Sequence, residues 1–563
     1  MKFFLCVLLV SYFGFAKAQQ YQWAYGLGNG NGNSIAHDNA GNCIVTGFFT
    51  GKVDFNPGPG FDTLRSIGNS DIFVAKYDPN GNYIWAFGIG TGQYEEATSK
   101  SVSVDAHGNI YITGWLVSGS ADFNPGPGVN MINPSGYECL FVAKYDANGN
   151  YLWAFGLADA STSAADNGIS LAGDVNGNII VTGAFQDTLD FNPGPATNNL
   201  IAPGGYQNLF VAKYDSSGNY IWAFSITDST STTSGASVTT DSQGNILLTG
   251  SFGATADFNP GSAIHDLTVK GVSDIFVAKY DENGNYLWVF DIGTPGGWSQ
   301  ATGLSINTDN KDNILVTGYF GGNADFAPGP STNLLSAGTQ SMFIAKYNTN
   351  GINSWAKCIT NANAGYGITT DADANVLVTG DFSGTANFNP VASANLVANG
   401  YQDIFIAKYD SSGNFGWAFN AGCDSTYNVG AAISCDAIGN IWITGQTTGN
   451  VDFDPSSATN YVNTPPYQNS YIAKYNSQLM GIQQVSNNNY INVFPNPTSG
   501  YIVIDANKEE PGNLVIYNLL GEKVFESSEK SNYFKINLQA SGVYQIVFTS
   551  GQLISTKKII VEH

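Results

Sequence analysis

One short string, Phe-Val-Ala-Lys-Tyr-Asp or a close variant, occurs seven times along the 563 residues. Successive copies lie 62 to 69 residues apart, and three other markers recur with them in a fixed order: a Thr-Gly pair, an Asp-Phe-Asn-Pro-Gly (DFNPG) segment and a Trp-Ala-Phe-like string. The repeated lysines are Lys76, Lys144, Lys213, Lys279, Lys346, Lys408 and Lys474. Self-similarity at a fixed period is typical of folds that array one supersecondary unit many times. The repeat therefore constrains the fold more than any other feature of the sequence.

Each repeat contains four short runs of β-branched and aromatic residues, separated by Gly/Asn/Asp turns and without helical periodicity. In the second repeat these runs are residues 101–104, 109–116, 140–145 and 151–155. Four strands per repeat, seven times over, predict an all-β chain and a seven-bladed β-propeller. An open solenoid of stacked repeats is the alternative.

The register of the markers favours the propeller. The first tryptophan, Trp23, belongs to a fourth strand with no strands before it, and the last repeat ends at Tyr475 with no tryptophan after it. Residues 21–26 can therefore complete the last blade and hide both sheet edges. An open solenoid needs polar caps, and the sequence contains none. We predict a propeller over residues 19–476, closed by an N-terminal strand.

Two short Asp-x-x-Gly-Asn turns recur in the repeats, as in residues 38–42 and 78–82. Aspartate caps such a turn by accepting a backbone N–H, and glycine takes the left-handed position. Asp312 and Ala374 replace that glycine in two repeats, so those turns should be slightly strained. The repeated lysine lies among apolar residues, where an unpaired ammonium would be costly. We predict that each lysine pairs with a repeat aspartate.

The DFNPG segment has two interpretations. One is a Pro/Gly turn that a buried phenylalanine holds in place. The other is a ring of aspartates that binds calcium, a cation that prefers carboxylate oxygens. The calcium candidates are Asp54, Asp122, Asp190, Asp257, Asp325 and Asp452. Asn387 and Ala327 interrupt the pattern. Because function concentrates in variable loops on a rigid scaffold, we expect any binding surface on the face formed by the long links, with the DFNPG segments.

The seven repeated tryptophans are interpreted as core residues, with sugar stacking as the alternative. Trp298 lies outside their register in a long link and is the candidate exposed aromatic for ligand stacking. No HExxH, GxSxG or P-loop motif appears, so no catalytic residue and no cofactor is predicted, and calcium is the one candidate ion.

The composition limits the classes of partner that the chain can bind. The chain has 44 acidic and 21 basic residues, a net charge of -23, which argues against nucleic acid. Residues 1–18 carry a lysine, an apolar run and Ala-Lys-Ala, the pattern of a secretory signal peptide, and no later run is long enough for a transmembrane helix. Five cysteines remain after this segment. A Cys423–Cys435 bridge is the alternative to unpaired cysteines.

After a predicted polar linker at residues 477–489, five strand-like runs predict a small antiparallel sandwich over residues 490–563. The strings FPNPTSG (residues 494–500), LVIYNLLGEKV (514–524), GVY (542–544) and the ending KKIIVEH resemble the type A C-terminal sorting domain of the type IX secretion system of Bacteroidetes. The sorting motif would then comprise Pro495, Asn496, Pro497 and Gly500. The resemblance implies export by the type IX machinery to the cell surface or the extracellular space.

The repeats resemble the bacterial seven-bladed β-propeller repeat family called SBBP, through strings such as GNIYITG followed by FVAKYD. That family implies architecture and no uniform activity. The expected function is therefore a non-enzymatic scaffold that binds a glycan or protein through the DFNPG face. A polysaccharide hydrolase or lyase and a calcium-stabilised adhesin are the alternatives.

Overall fold

The computed structural model describes residues 20–92, 95–134, 136–158, 166–227, 230–295, 300–329, 331–424, 426–456, 458–463, 468–476, 491–506, 512–518, 523–527, 530–550 and 553–562. The predicted signal peptide, the linker and Trp298 lie outside these residues. The chain divides into two compact units, Met1–Ser477 and Gln478–His563.

The first four repeats follow one order of strands. They comprise β1 (Gln20–His37), β2 (Cys43–Phe49), β3 (Lys52–Asp54), β4 (Thr63–Arg65), β5 (Asp71–Tyr77), β6 (Tyr83–Ile89), β7 (Glu96–Val104), β8 (Ile110–Val117), β9 (Ala121–Asp122), β10 (Met131–Ile132), β11 (Glu138–Tyr145), β12 (Tyr151–Leu157), β13 (Asn167–Gly173), β14 (Ile179–Phe185), β15 (Thr188–Asp190), β16 (Asn199–Ile201), β17 (Asn208–Tyr214), β18 (Tyr220–Ile226), β19 (Thr233–Thr240), β20 (Ile246–Phe252), β21 (Thr255–Asp257), β22 (Asp266–Thr268), β23 (Asp274–Tyr280) and β24 (Tyr286–Ile292). A 3-10 turn at Pro203–Gly205 interrupts the third repeat.

The last three repeats keep the same order. They comprise β25 (Ala301–Thr308), β26 (Ile314–Phe320), β27 (Asn323–Asp325), β28 (Leu334–Ser336), β29 (Ser341–Tyr347), β30 (Asn353–Ile359), β31 (Ala362–Thr370), β32 (Val376–Phe382), β33 (Thr385–Asn387), β34 (Asn395–Val397), β35 (Asp403–Tyr409), β36 (Phe415–Ala421), β37 (Val429–Cys435), β38 (Asn440–Thr447), β39 (Asn450–Asp452), β40 (Tyr461–Asn463) and β41 (Asn469–Asn476). The described residues contain no α-helix, which confirms the all-β prediction.

Five antiparallel four-stranded sheets each hold one repeat, for example β7, β8, β11 and β12. This arrangement is typical of propeller blades. Each repeat also contains a two-stranded hairpin between its second and third main strands, which the sequence did not predict.

The N-terminal strand β1 pairs with strands of both the first and the last repeat. Its first half pairs with β41 of the last repeat, with Tyr21 opposite Tyr475, as the marker register predicted. Its second half pairs with β2, with Ile35 opposite Val45. The result is one seven-stranded sheet that joins the first and last repeats.

The hydrophobic core lies between successive sheets. One buried cluster combines Ile44 and Ile72 of the first repeat with Ile112 and Phe141 of the second. Equivalent clusters join each following pair of repeats. A further cluster joins Trp442 of the last repeat to the first repeat. Each blade-like sheet is therefore buried on two faces, which fits its nearly continuous apolar strands.

The C-terminal unit is built from β42 (Ile491–Phe494), β43 (Tyr501–Ala506), β44 (Asn513–Asn518), β45 (Lys523–Glu526), β46 (Tyr533–Asn537), β47 (Gly542–Ser550) and β48 (Leu553–Val561). A three-stranded sheet and a four-stranded sheet share one core, in which Ile504 and Phe534 meet Ile516 and Ile546. The sandwich that the sequence predicted is therefore present in this unit.

Candidate functional site

The Asp-x-x-Gly-Asn turns form as predicted. Asp38 Oδ1 accepts the backbone N–H groups of Ala40 and Asn42, and Gly41 has a φ of 76°. Asp312 and Ala374 occupy the same left-handed position, at φ values of 59° and 61°. Both adopt a conformation in which a Cβ is unfavourable, as the sequence predicted, and the resulting strain stays a prediction.

Six of the seven repeated lysines form the predicted ion pairs with these turn aspartates, whereas Lys474 has no carboxylate oxygen within 4.0 Å among the described residues. Lys213 Nζ lies 2.9 Å from Asp174 Oδ2, and the two side chains are 5% and 1% exposed. Burial raises the pKa of Asp174, but hydrogen bonds from Lys213 and Asn178 outweigh that effect and hold the pKa below its usual value. The other pairs are Lys76–Asp38, Lys144–Asp105, Lys279–Asp241, Lys346–Asp309 and Lys408–Asp371.

The same lysines also bind the next repeat. Lys213 Nζ donates to the backbone oxygen of Glu282, 2.9 Å away, on the turn between the third and fourth strands of the following repeat. The equivalent acceptors are Ala147 for Lys76, Ser216 for Lys144, Thr349 for Lys279 and Ser411 for Lys346. Lys474 of the last repeat donates to Pro79 of the first. We call each lysine, with its aspartate and carbonyl, an inter-repeat clasp.

Two clasps differ because an aromatic residue lies beside the lysine. Lys144 is 4.0 Å from Asp105 and 4.7 Å from the ring centroid of Tyr111. Lys474 lies 4.7 Å from the ring of Trp442. Cation–π attraction compensates there for a longer or absent ion pair.

The repeated tryptophans pack between repeats, which supports the core interpretation. The Trp153 ring stacks on Phe155 at 5.7 Å and 10°, and its Nε1 donates to Ser216 in the next repeat, 3.2 Å away. A Cβ built on Gly218 would lie 3.1 Å from the indole. Glycine is therefore needed at this turn both for its φ of 83° and for the approach of the tryptophan.

The placement of the DFNPG segments corrects the sequence expectation. Tyr77, at the end of a third strand, donates its hydroxyl to the Phe55 carbonyl, 2.9 Å away, and this bond recurs in other repeats. His265 stacks on Tyr286, the first residue of a fourth strand, at 4.3 Å. The hairpins thus carry the DFNPG segments back to the short turns between third and fourth strands, and not to the face formed by the long links.

The DFNPG aspartates act as caps within these segments. Asp54 Oδ1 accepts the backbone N–H groups of Asn56 and Asp62, at 3.1 and 2.9 Å. The same pair of bonds recurs at Asp122, Asp190, Asp257, Asp325 and Asp452. Within the described ranges, no three His, Cys, Asp or Glu side chains form a group suited to a metal ion. Calcium binding by these aspartates stays a prediction.

Two equivalent grooves lie between neighbouring repeats. One groove, of about 390 Å³, is lined by Trp153 and Phe155 of one repeat and by Asn192, Pro193 and Tyr220 of the next. The other, of about 380 Å³, is lined by the corresponding residues one repeat later, namely Trp222, Phe224, Asn259, Pro260 and Tyr286. Sequence reasoning missed these grooves because each combines three segments that only the packing of two repeats brings together.

A central cavity is lined by the first strands of all seven repeats. At the end nearer the first–second turns, its volume is about 440 Å³ and its lining includes His37, Val104 and Ser434. His37 Nδ1 lies 2.8 Å from Ser434 Oγ, and burial lowers the pKa of His37 to about 4. The other end measures about 570 Å³ and is lined by Lys100, Tyr366 and several serines. Sequence reasoning missed Lys100, although aligning the seven repeats shows that it has no counterpart.

The two carboxyl groups whose pKa values are raised furthest, those of Asp274 and Asp381, are both buried. Burial raises the pKa values of Asp274 and Asp381 to about 6. Both residues are almost inaccessible, at 0% and 1% exposed, so a substrate could not reach them. Asp274 also accepts the backbone N–H of Lys270, which gives it a structural role. The five described cysteines are free, so the Cys423–Cys435 bridge is absent.

The residues predicted as the sorting motif lie against the last strand of the C-terminal unit. Asn496 donates from Nδ2 to the Lys558 carbonyl, 2.9 Å away, and accepts at Oδ1 from the Ile560 N–H, 3.0 Å away. Gly500 is buried and has a φ of 110°. Thr498 and Ile560 add a backbone bond of 2.9 Å.

Residues 492–562 match the family described as the secretion system C-terminal sorting domain. This match confirms the sorting domain that the sequence resembled. The protein is therefore exported by the type IX secretion system to the cell surface or the extracellular space. Within the described residues, no helix is long and apolar enough to cross a membrane.

Comparison of the sequence with known proteins finds an uncharacterized WD repeat-containing protein of Acanthamoeba polyphaga mimivirus, 26% identical over 445 residues. The match covers 64% of this chain and 31% of that protein, so the chain spans about a third of its relative.

Three solved structures show weaker likenesses. They are a protein of unknown function from Bacteroides caccae (12% identity, 62% of this chain and 89% of that one, TM-score 0.28), the extracellular domain of a putative hybrid two component system from B. thetaiotaomicron (12%, 95% and 69%, 0.20) and a glycoside hydrolase family 32 protein from Bifidobacterium adolescentis (9%, 97% and 95%, 0.22). With TM-scores this low, none of them bears on fold or activity.

Proposed function

We propose that the seven repeats close into a seven-bladed propeller, preceded by a cleaved signal peptide (residues 1–18) and followed by a linker (477–489) and the sorting domain. Three observations support closure: β1 pairs with both the first and the last repeats, Lys474 binds Pro79, and one cavity is lined by seven first strands. The repeat type is proposed to be that of the SBBP family.

We further propose that the exported protein is a binding scaffold whose ligand sites are the grooves between neighbouring repeats. The observation that carries this function is the equivalence of the two grooves, in which the tryptophan, phenylalanine, asparagine, proline and tyrosine recur one repeat later. An enzyme needs one specialised centre, whereas repetition of similar sites suits multivalent binding, which raises avidity without new contacts.

The chemistry of the grooves favours a glycan over a protein. Each groove combines the edge of a tryptophan–phenylalanine stack with a tyrosine, an asparagine and a Pro-Gly turn. Aromatic surface together with a few polar groups that fix orientation is the usual composition of small-ligand sites. A protein partner is the second class and is an outcome of the test.

The test is a glycan-array screen of the secreted protein, followed by calorimetry with the strongest oligosaccharide. We expect several bound molecules per chain. Ser217 lines one groove and Asn283 the other, and both are exposed. The double variant S217W/N283W should lower the number bound by about two. Ser216→Trp is the control, because Ser216 is an exposed neighbour on the same turn outside the groove lining.

Two results would contradict this function. A stoichiometry of one that S217W/N283W leaves unchanged would mean that the grooves are not the sites. An absence of binding to every glycan would favour a protein partner. Turnover of an extracellular polysaccharide by the purified protein would instead support the hydrolase or lyase alternative.

Calcium is proposed as a stabilising ion at the DFNPG segments, held by the second carboxylate oxygen of each capping aspartate, since the described amide bonds use the first. A ligand that binds only the folded state raises the melting temperature. We expect EDTA to lower the melting temperature of the secreted protein and added calcium to restore it. An unchanged melting temperature would remove calcium from the proposal.

A further inference from the structure

The wider part of the central cavity, of about 570 Å³, is polar. Five of the repeats present a serine at the same position of the first strand, namely Ser34, Ser101, Ser170, Ser237 and Ser305. The Oγ atoms of the first four accept N–H groups from the next first strand, as in the bond from Val102 to Ser34 of 3.1 Å. No Asp or Glu is among the described residues that line this cavity.

Lys100 is the one cation among the described lining residues of this part of the cavity. The equivalent positions in the other repeats hold Asn33, Ile169, Ala236, Leu304, Tyr366 and Ala431. Its Nζ lies 4.9 Å from the ring centroid of Trp115, a cation–π contact that orients the ammonium. Among the described residues, no carboxylate oxygen lies within 4.0 Å of it, in contrast to clasp lysines such as Lys76 and Lys213.

An ammonium that is removed from water without a counter-ion is costly. Burial lowers the pKa of Lys100, and no neighbouring charge is recorded that offsets this cost. An anion in the cavity would supply the missing partner. A charge-assisted hydrogen bond of this kind is about twice as strong as a neutral one.

A second polar atom of the same cavity lacks a partner. Asn31 lines the cavity, and its Oδ1 is buried without a hydrogen-bond partner among the described residues. A buried carbonyl oxygen without a donor costs about 1–3 kcal/mol. A hydroxyl group of a ligand would satisfy it. Tyr366, which is 38% exposed, adds an aromatic ring to the lining.

We propose that the central cavity binds a carboxylated sugar, with its carboxylate on Lys100 and a hydroxyl group on Asn31. The cavity volume lies within the range of about 300–1,000 Å³ that is typical of small-molecule sites. The serine hydroxyls, which already accept backbone N–H groups, keep their own O–H for donation to the sugar. This site is separate from the grooves between repeats, and its existence does not depend on them.

Calorimetry of the full secreted chain with glucuronate, glucose and sulfate tests the proposal. We expect saturable binding of glucuronate and at least tenfold weaker binding of glucose and of sulfate. Lys100→Met should weaken glucuronate binding at least tenfold, and Lys100→Arg should retain most of it. Lys311→Met is the control, because Lys311 is exposed on a short turn and the change in charge is the same.

Melting temperatures of the variants separate binding from folding. Because Lys100→Met removes a partly buried charge that has no carboxylate within 4.0 Å among the described residues, we expect its melting temperature to equal or exceed that of the wild type. Lack of glucuronate binding by the wild type, or equal affinity in Lys100→Met, would overturn the proposal. Equal affinity for sulfate would overturn the assignment to a sugar. The groove variant S217W/N283W should bind glucuronate normally.

Discussion

The inter-repeat clasp makes a quantitative prediction about stability, best tested at Lys213. In the variant Lys213→Met, Asp174 stays in its turn with its Oδ1 bonded to two backbone N–H groups but loses its cation. Two unit charges 2.9 Å apart attract by about 6 kcal/mol at an effective dielectric constant of about 20. The cost of desolvating both charges offsets part of this attraction.

Removing one partner lowers the free energy of unfolding by more than the whole ion pair contributes to it, because the other charge stays buried and unpaired. A buried carboxylate without its cation costs about 3–5 kcal/mol. The Glu282 carbonyl loses its donor as well, which adds to the cost. Unfolding entropy of about 2.1 cal/mol/K per residue over roughly 450 residues gives about 1 kcal/mol per degree. We therefore expect Lys213→Met to lower the melting temperature by about 3–5 °C.

Differential scanning calorimetry of the secreted chain measures this shift, and two further variants interpret it. Asp174→Asn combined with Lys213→Met removes both charges and keeps an oxygen to cap the turn, so it should lose only about half as much. Lys311→Met, at an exposed lysine, should shift the transition by less than about 0.5 °C. A Lys213→Met protein within 1 °C of the wild type would refute the clasp as a stabilising device.

The pH dependence gives an independent check with a defined sign. The pKa of Asp174 is lowered in the folded state, so its contribution is present above the unfolded pKa and is lost as pH falls through the folded value. The difference between wild type and Lys213→Met should therefore shrink below about pH 4. A difference that stays constant from pH 7 to pH 3 would mean that packing of the lysine stem, and not the ion pair, causes the effect.

Three further predictions concern single residues. Burial raises the pKa of Asp381 to about 6, so the contribution of this group to stability is present at low pH and is lost as pH rises through 6. The melting temperature of Asp381→Asn should therefore be higher than that of the wild type at pH 7.5 and equal to it at pH 4. Equal melting temperatures of the two proteins at both pH values would contradict this prediction. Ala374→Gly should raise the melting temperature by about 1 °C by relieving its left-handed strain. Asp312→Gly should gain less, because Asp312 also accepts hydrogen bonds from Ser242, and the opposite order would be evidence against the strain. Asn496→Ala should reduce the exported fraction in a type IX secretion host, measured by immunoblot of the medium, while Asn492→Ala, at an exposed residue of β42, should not.

The sequence predicted those parts of the fold that depend on local chemistry. The turn at residues 38–42 needs only an aspartate oxygen and a glycine in the left-handed region, both of which can be recognised within five residues. The pairing of the N-terminal strand with Tyr475 was also predictable, because the order of the markers left one strand missing at one end and one extra at the other. The lysine–aspartate pairs followed from the cost of burying an ammonium.

The path of the DFNPG segment could not be predicted in the same way. Its position depends on the hydroxyl of Tyr77 and on aromatic contacts such as His265 with Tyr286, which join segments about 20 residues apart. No local rule distinguishes a hairpin that folds back along its sheet from a loop that projects beyond it. The carbonyl half of each clasp was missed for the same reason, because Glu282 lies 69 residues from Lys213.

Repetition itself gives the strongest guide to specialised function in this protein. Residues that recur in every repeat, such as the clasp lysines and their aspartates, must serve what every repeat needs, namely the joining of one sheet to the next. A residue that serves one ligand at the centre needs to occur once. Lys100 is such a departure, and it faces the cavity that seven otherwise similar strands enclose. In this array of repeats, the candidate central site is therefore found among the residues that break the pattern, whereas the candidate multivalent sites are found among those that keep it.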